Sequence, residues 1–161
     1  MKLLLPEDCD FFPQTWNFPE EEEQLREDAQ NKKWYIVKPA SSSQGKGIYL
    51  TRDLNSISKE NSVVQEYIAN PHLIDGCKYD LRIYILIKSL FPLKIFRFEE
   101  GLTRLATRPY EHPSKMNKKE INMHLTNYAI NKLNPAYIPN KDIEADCEGH
   151  KRSLNSAFKE L

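Results

Sequence analysis

The chain has 161 residues, with 23 Lys and Arg against 23 Asp and Glu and a formal net charge of zero at pH 7. Its 40% hydrophobic, 11% aromatic and 29% charged residues fit a folded soluble domain with one buried core and exclude a disordered chain. The longest apolar run, Ile83 to Ile87, falls far short of the ~20 residues of a membrane helix. The start, Met1 to Leu5, meets Pro6-Glu7-Asp8 too early for a secretory signal. Cys9, Cys77 and Cys147 are odd in number and far apart, which fits free thiols in a reducing compartment. These features predict a soluble, cytoplasmic domain.

The even charge conceals an asymmetry. Residues 1–30 hold two basic and nine acidic residues, whereas residues 31–161 hold 21 basic and 14 acidic. A basic body suits an anionic partner such as nucleotide phosphate, nucleic acid or an acidic protein tail; the alternative is simply a solvated surface.

In chain order, Phe11 to Pro19 is aromatic with two prolines and is expected to run extended. After Pro19, the acidic run from Glu20 to Arg26 reads as a helix start, since proline suits the first turn and carboxylates favour the positive end of the helix dipole. Short strands are expected over Trp34–Val37, Ile48–Leu50, Ser62–Tyr67, Tyr79–Ile87, Leu93–Phe98 and Leu102–Thr107. A Ser/Gly-rich connection and Leu90-Phe91-Pro92 suggest antiparallel hairpins. Pro109 to Glu120 is polar and basic and reads as a loop. Ser153 to Leu161 places Leu154, Ala157, Phe158 and Leu161 on one helical face.

Four segments hold residues suited to chemistry. The first is Lys38-Pro39-Ala40-Ser41-Ser42-Ser43-Gln44-Gly45-Lys46-Gly47, between two strands. Small residues let backbone N–H groups approach an anion and the lysines supply countercharge. The spacing is not that of a Walker loop or of a protein kinase, so the options are a flap over phosphates or an ordinary hairpin turn. The second is the strand from Gly76 to Ile87. Its alternation puts Lys78, Asp80 and Arg82 on one face and Tyr79, Leu81, Ile83, Ile85 and Ile87 on the other, too apolar at its far end for an exposed edge. Three charges in a row are costly unless they pair or bind something charged; the alternative is a surface salt-bridge ladder. The third, Glu99 to Arg104, sets another arginine in a strand. The fourth, His124-Leu125-Thr126-Asn127-Tyr128, gathers hydrogen-bonding side chains. The four histidines have no metal-ligand spacing, and no Gly-x-Ser-x-Gly elbow supports a serine hydrolase.

Taken in order, these segments resemble the tubulin–tyrosine-ligase-like family. The matching runs are Phe12 to Trp16, Trp34 to Pro39, Gln44 to Ile48, Val64 to Ile68, Pro71 to Gly76, Lys78 to Arg82, Glu100 to Arg104 and His124 to Tyr128. Together the resemblance covers about residues 11–154. It implies an α/β (α+β) ATP-grasp fold, with mostly antiparallel sheets and flanking helices. It also implies ATP- and Mg2+-dependent addition of an amino acid to a protein carboxylate. The carboxylate becomes an acylphosphate and the incoming amine displaces phosphate, so the enzyme's task is positioning and charge neutralisation.

By the same resemblance Lys38 is the phosphate-binding lysine, and Gln44 and Gly45 form the loop over the phosphates. Gln65, Glu66, Tyr67 and Ile68 form the hinge, with backbone groups of Glu66 and Ile68 on the adenine edge. Lys78, Asp80, Thr126 and Asn127 contact nucleotide, with Asp80 at the ribose. Arg82 is the catalytic residue, stabilising the acylphosphate or its tetrahedral successor. Arg104 holds the carboxylate of the incoming amino acid, a task suited to a bidentate guanidinium. Tyr128 and Ala129 lie near that amino acid, and Lys151 beside the side chain of a donor glutamate, which favours glutamate over glycine. Two departures touch this pocket: Arg152 stands where the family usually has tryptophan, and Ala129 where serine is common. The magnesium-binding aspartate and a later Glu-x-Asn pair would fall beyond Leu161, so residues 1–161 are expected to form part of the catalytic domain without its magnesium-binding segment; the alternative is an inactive nucleotide-binding remnant. Alone, such a fragment would be inactive.

The expected function is tubulin polyglutamylation, with free L-glutamate and the acidic C-terminal tails of tubulin or microtubules as partners. The setting would be the cytoplasm and cytoskeleton, including the cilium or basal body. The alternatives are a tubulin glycylase, a ligase for another protein, or a non-catalytic microtubule-binding module. No membrane partner is expected, and no nucleic-acid reading motif is present.

Overall fold

The computed structural model describes residue 9 and residues 11–29, 33–140 and 148–159. They fall into two compact units: the described residues through Pro71 with His112–Lys119, and His72–Glu111 with the described residues from Glu120 on.

The first unit is built on a four-stranded antiparallel sheet of β1 (Thr15–Phe18), β2 (Tyr35–Pro39), β3 (Tyr49–Thr51) and β4 (Ser62–Glu66), in the order β1-β4-β2-β3. Alternation along the strands sends Trp16, Phe18, Tyr35, Val37 and Val64 to one face, where they bury with Leu25 of helix α1 (Glu22–Asp28) and Ile57. The Trp16 and Tyr35 rings meet edge to face at 6.0 Å, and the Gln14 and Trp16 side chains both donate to Asp28 Oδ2 at 3.1 Å, tying the helix end to β1. The helix starts at Glu22 rather than Glu20 because the Glu21 carboxylate accepts from the Asn17 amide at 2.6 Å, making Pro19–Glu21 a turn. The Ser/Gly-rich connection joins β2 to β3 as a hairpin, as expected.

The second unit has the sheet β5-β6-β7-β8, from β5 (Leu73–Ile74), β6 (Cys77–Leu90), β7 (Leu93–Pro109) and β8 (Lys151–Ser153), again antiparallel throughout. One face buries Leu105 and Cys77 under Ala157 of helix α4 (Leu154–Phe158). That helix is capped by the Ser153 hydroxyl, which accepts from the Ser156 amide at 2.9 Å. Leu154 and Ala157 are fully buried as expected, but Phe158 is half exposed, and Leu161 lies outside the described residues. Two one-turn helices that periodicity cannot reveal, α2 (Ile121–His124) and α3 (Tyr128–Asn131), flank the Leu125–Asn127 link. Residues 110–120 are irregular, as expected of a loop.

Two expectations are corrected. Leu93–Phe98 and Leu102–Thr107 are one strand, because Gly101 lets β7 run on beside β6. A Cβ at Gly101 would lie 2.4 Å from the Arg82 carbonyl oxygen, so only glycine permits this approach. The far end of β6 is also exposed: Ile85, Leu86 and Ile87 are 54–63% accessible and Phe91 at the tip is 98% accessible. The reason is topological. β5 reaches β6 only at Cys77 and Lys78, and β8 reaches β7 only at Leu102–Arg104, so beyond them β6 and β7 form a bare two-stranded ribbon.

Cys9 and Cys77 are buried free thiols, and burial pushes the Cys77 thiol up, away from reactivity; Cys147 lies outside the described residues. Among the described residues no helix is long and apolar enough to cross a membrane.

Candidate functional site

The expected site residues divide between the units. Lys38, Gln44, Gly45, Gln65, Glu66, Tyr67 and Ile68 belong to the first, and the rest to the second.

In the first unit, a polar row crosses the sheet on the face opposite its core. Lys38 Nζ donates to Gln65 Oε1 at 2.7 Å, Gln65 Nε2 to Thr15 Oγ1 at 2.8 Å, and Thr15 Oγ1 to the Pro13 carbonyl at 2.9 Å. Lys38 is half buried, and desolvation pulls its ammonium below the usual lysine range. Its charge is thus held at a fixed place in a weakly screening environment. Beyond it, Gln44, Gly45 and Gly47 all adopt left-handed backbone, with φ of 59°, 85° and 73°. Left-handed turns of this kind aim backbone amides outward, and for Gln44 the conformation is strained.

At the other end of β4, the Glu66 amide donates to the Gln14 carbonyl and the Tyr67 amide to the Trp34 carbonyl, both at 2.8 Å. The Glu66 carboxylate is paired with Lys33 at 2.9 Å. Tyr67 is buried and Ile68 exposed. A cavity of about 610 Å3 opens here, lined by Gln14, Lys33, Trp34 and the stretch from Glu66 to Asn70. Its volume is that of a small-molecule site. Lys38 is not part of its wall.

In the second unit, the ladders assemble a row of charges that no single segment reveals. Asp80 on β6 stands opposite Arg104 on β7, and Arg104 stands opposite Lys151 on β8. Arg104 Nε donates to Asp80 Oδ1 at 2.9 Å, and a second guanidinium nitrogen to Oδ2, a bidentate grip that raises the arginine still further above neutrality. The row therefore holds two cations and one carboxylate. Lys78 and Arg82 share the face of Asp80 by strand alternation, and Arg82 stands opposite Leu102. The salt-bridge-ladder alternative is met only in part, because Asp80 pairs across the sheet with Arg104. Among the described residues Arg82 and Lys151 form no ion pair.

Tyr128 joins this row. Its ring lies under the Lys151 ammonium at 5.6 Å and the Lys132 ammonium at 5.3 Å. The rings of Tyr128, Tyr137 and His150 follow one another at 5.9 and 5.6 Å. His150 accepts from the Ile138 amide at 2.9 Å through Nδ1, and burial holds its pKa down, which keeps the ring neutral. Thr126 and Asn127 lie in the link between α2 and α3, and Ala129 is the second residue of α3. The whole link is held by Asn131, whose side chain donates to the Leu125 and Asn127 carbonyls at 2.8 and 3.1 Å.

Sequence reading assigns no role to four residues that shape this unit: Lys132, Asn131, Asp75 and Glu100. Glu100 lies in the third candidate segment, Asn131 and Lys132 just beyond the fourth, and Asp75 in an Asp-Gly pair between short apolar runs that marks a two-residue hairpin; both Asp75 and Gly76 have positive φ. Glu100 accepts from the Gly101 and Leu154 amides at 2.8 Å and from Asn155, so it binds α4 to β7. Among the described residues no three His, Cys, Asp or Glu side chains gather as metal ligands.

Residues 2–161 match the Tubulin-tyrosine ligase family. Among similar proteins, a probable beta-tubulin polyglutamylase of Tetrahymena thermophila is 45% identical over 100% of this chain and 14% of its own length. Tubulin polyglutamylase TTLL13 of Mus musculus is 45% identical, and tubulin polyglutamylase TTLL6 of the same organism 42%; each aligns with 97% of this chain and 19% of its own length. The chain thus spans less than a fifth of these relatives. With its antiparallel α/β architecture and a match along essentially its whole length, the chain belongs to the tubulin-tyrosine ligase family.

Proposed function

We propose that the protein is an ATP-dependent ligase that adds glutamate to glutamate side chains of tubulin tails, with residues 1–161 forming part of its catalytic domain. The observation that carries this reading is the Asp80–Arg104–Lys151 row, in which two cations face one carboxylate. A zwitterionic amino acid with an extra side-chain carboxylate is the ligand such a row favours, and the polyglutamylase names of the relatives point the same way. Arg104, whose Nε and one outer nitrogen grip Asp80, meets the α-carboxylate through its other outer nitrogen rather than as a bidentate fork. Lys151 holds the side-chain carboxylate, and Tyr128 and Ala129 border the amino acid.

For ATP, Lys38 binds phosphate, Gln44 and Gly45 supply the loop above it, and Gln65 fixes the lysine. With the Glu66 and Tyr67 amides engaged inside the sheet, the adenine edge is read by the Glu66 carbonyl and the Ile68 amide. Lys78, Asp80, Thr126 and Asn127 are further nucleotide contacts. The acceptor carboxylate oxygen bonds to the γ-phosphorus of ATP as the bond to the ADP oxygen breaks. The glutamate amine then attacks the acyl carbon, loses a proton, and expels inorganic phosphate to leave an amide. Arg82 neutralises charge building on the acyl and phosphoryl oxygens. Mg2+ screens the phosphates in such chemistry, but the described residues gather no carboxylate set that fits it. A cytoskeletal setting in the cytoplasm, with the cilium and basal body among its places, follows from this substrate.

ATP-dependent incorporation of labelled glutamate and of labelled glycine into tubulin by the whole protein tests the reading. Glutamate alone is expected. Incorporation of glycine alone would remove the Lys151 assignment, and microtubule binding without incorporation would favour a non-catalytic module.

A further inference from the structure

We propose that Arg152 is the positioning residue for Lys151, an inference that rests on the donor-glutamate reading above. β8 is only three residues long and, among the described residues, has a partner strand on one side only, β7. A strand that short has little to fix its register by itself, yet it must deliver the Lys151 ammonium to a defined place beside Arg104 and Tyr128. Adjacent strand residues point to opposite faces, so whatever pins residue 152 on one face also fixes residue 151 on the other.

Arg152 is built to be such a pin. Its side chain is only 6% exposed, and it stands opposite the fully buried Thr103. Its Nε donates to the Gly149 carbonyl at 2.9 Å, holding the turn that enters β8, where Gly149 itself is left-handed with φ of 85°. An outer guanidinium nitrogen donates to Asp75 Oδ2 at 2.6 Å. Asp75 sits at the tip of the tight β5–β6 hairpin, at φ of 51°. One planar fork thus joins the entry of β8 to a hairpin 77 residues earlier in the chain. A lysine keeps the charge but has no such fork, and so cannot grip both acceptors in one plane.

The pin acts through position and touches no substrate. Its loss should therefore raise the KM for glutamate and leave that for ATP alone. The Asp75→Asn variant is the cleaner test, because asparagine suits the left-handed turn equally and the residue is 64% exposed; since it removes the charge facing the buried Arg152, thermal unfolding is measured beside the kinetics. In the whole protein, Asp75→Asn and Arg152→Lys are each expected to raise the glutamate KM about fivefold to tenfold, with kcat and the ATP KM within about twofold. Lys151→Ala serves as the reference for the donor site. If Lys151→Ala raises the glutamate KM but Asp75→Asn leaves it within about twofold, Arg152 does not position Lys151. If the glutamate and ATP constants rise together in Asp75→Asn, the fork only supports the fold and the proposal is overturned. If Lys151→Ala itself leaves the glutamate KM unchanged, the donor-site reading fails and the proposal falls with it.

Discussion

Asn131 Oδ1 accepts both the backbone amide and the hydroxyl of Thr107, at 3.0 and 2.9 Å, while its Nδ2 holds the Leu125 and Asn127 carbonyls. One buried side chain therefore fastens the α2–α3 link to β7. Asn131→Ala leaves these buried groups without partners and is expected to lower stability by roughly 3 kcal/mol in denaturant titration. The Asn131→Asp variant keeps an acceptor but sets a buried carboxylate against the Leu125 and Asn127 carbonyls, so at neutral pH it should be no more stable than Asn131→Ala.

Gly101 is expected to be intolerant of any side chain. In Gly101→Ala the new methyl meets the Arg82 carbonyl, backbone that cannot swing aside, so β6 and β7 must part. A stability loss of about 2 kcal/mol is expected, measured by thermal unfolding. Because the displaced backbone is that of Arg82, turnover should fall more than the stability loss alone accounts for.

Acid should loosen α4. The Glu100 carboxylate is held below the usual glutamate value of 4.5, chiefly by the Gly101 amide and further by Asn155 and Leu154. A carboxylate with a depressed folded pKa contributes stability that is fully present above its unfolded pKa and is lost as pH falls through the folded one. Stability should therefore decline as pH drops below 4.5. In Glu100→Gln the protein should be less stable at neutral pH and show a shallower acid limb in pH-dependent denaturation.

Nucleotide affinity should depend on the charges of Lys38, Lys78 and Asp80. Lys38→Ala, Lys78→Ala and Asp80→Ala are each expected to weaken ATP binding by the whole protein about tenfold in calorimetry. Unchanged affinity in both Lys78→Ala and Asp80→Ala would favour a module that merely attracts acidic tails.

The elements that were legible in the sequence are those whose own pattern specifies them. The β2–β3 hairpin follows from two β-branched runs around a Ser/Gly connection, and the common face of Lys78, Asp80 and Arg82 follows from a period of two. What was hidden depends on pairing. Nothing local in Glu99–Arg104 says that Arg104 lies between Asp80 and Lys151, because that is a matter of register across three strands. The helices α2 and α3 have too few turns for periodicity and exist through the Asn131 hydrogen bonds. The continuity of β7 is decided by a Cβ that Gly101 lacks, and sequence alone shows a glycine there without showing what passes beside it.

The outer β6–β7 ribbon carries apolar residues on both faces and, among the described residues, has an unpaired edge along each strand. Such a surface can be quieted by a covering layer or by another strand added along an edge, and copies of the same segment supply both. In a solution of residues 1–161 by themselves, self-association is thus a matter of concentration. Soluble yield should drop steeply as the segment accumulates. Charged substitutions at Leu86 and Phe96, which face each other across the ribbon, should restore it without disturbing the charged row farther down the same strands.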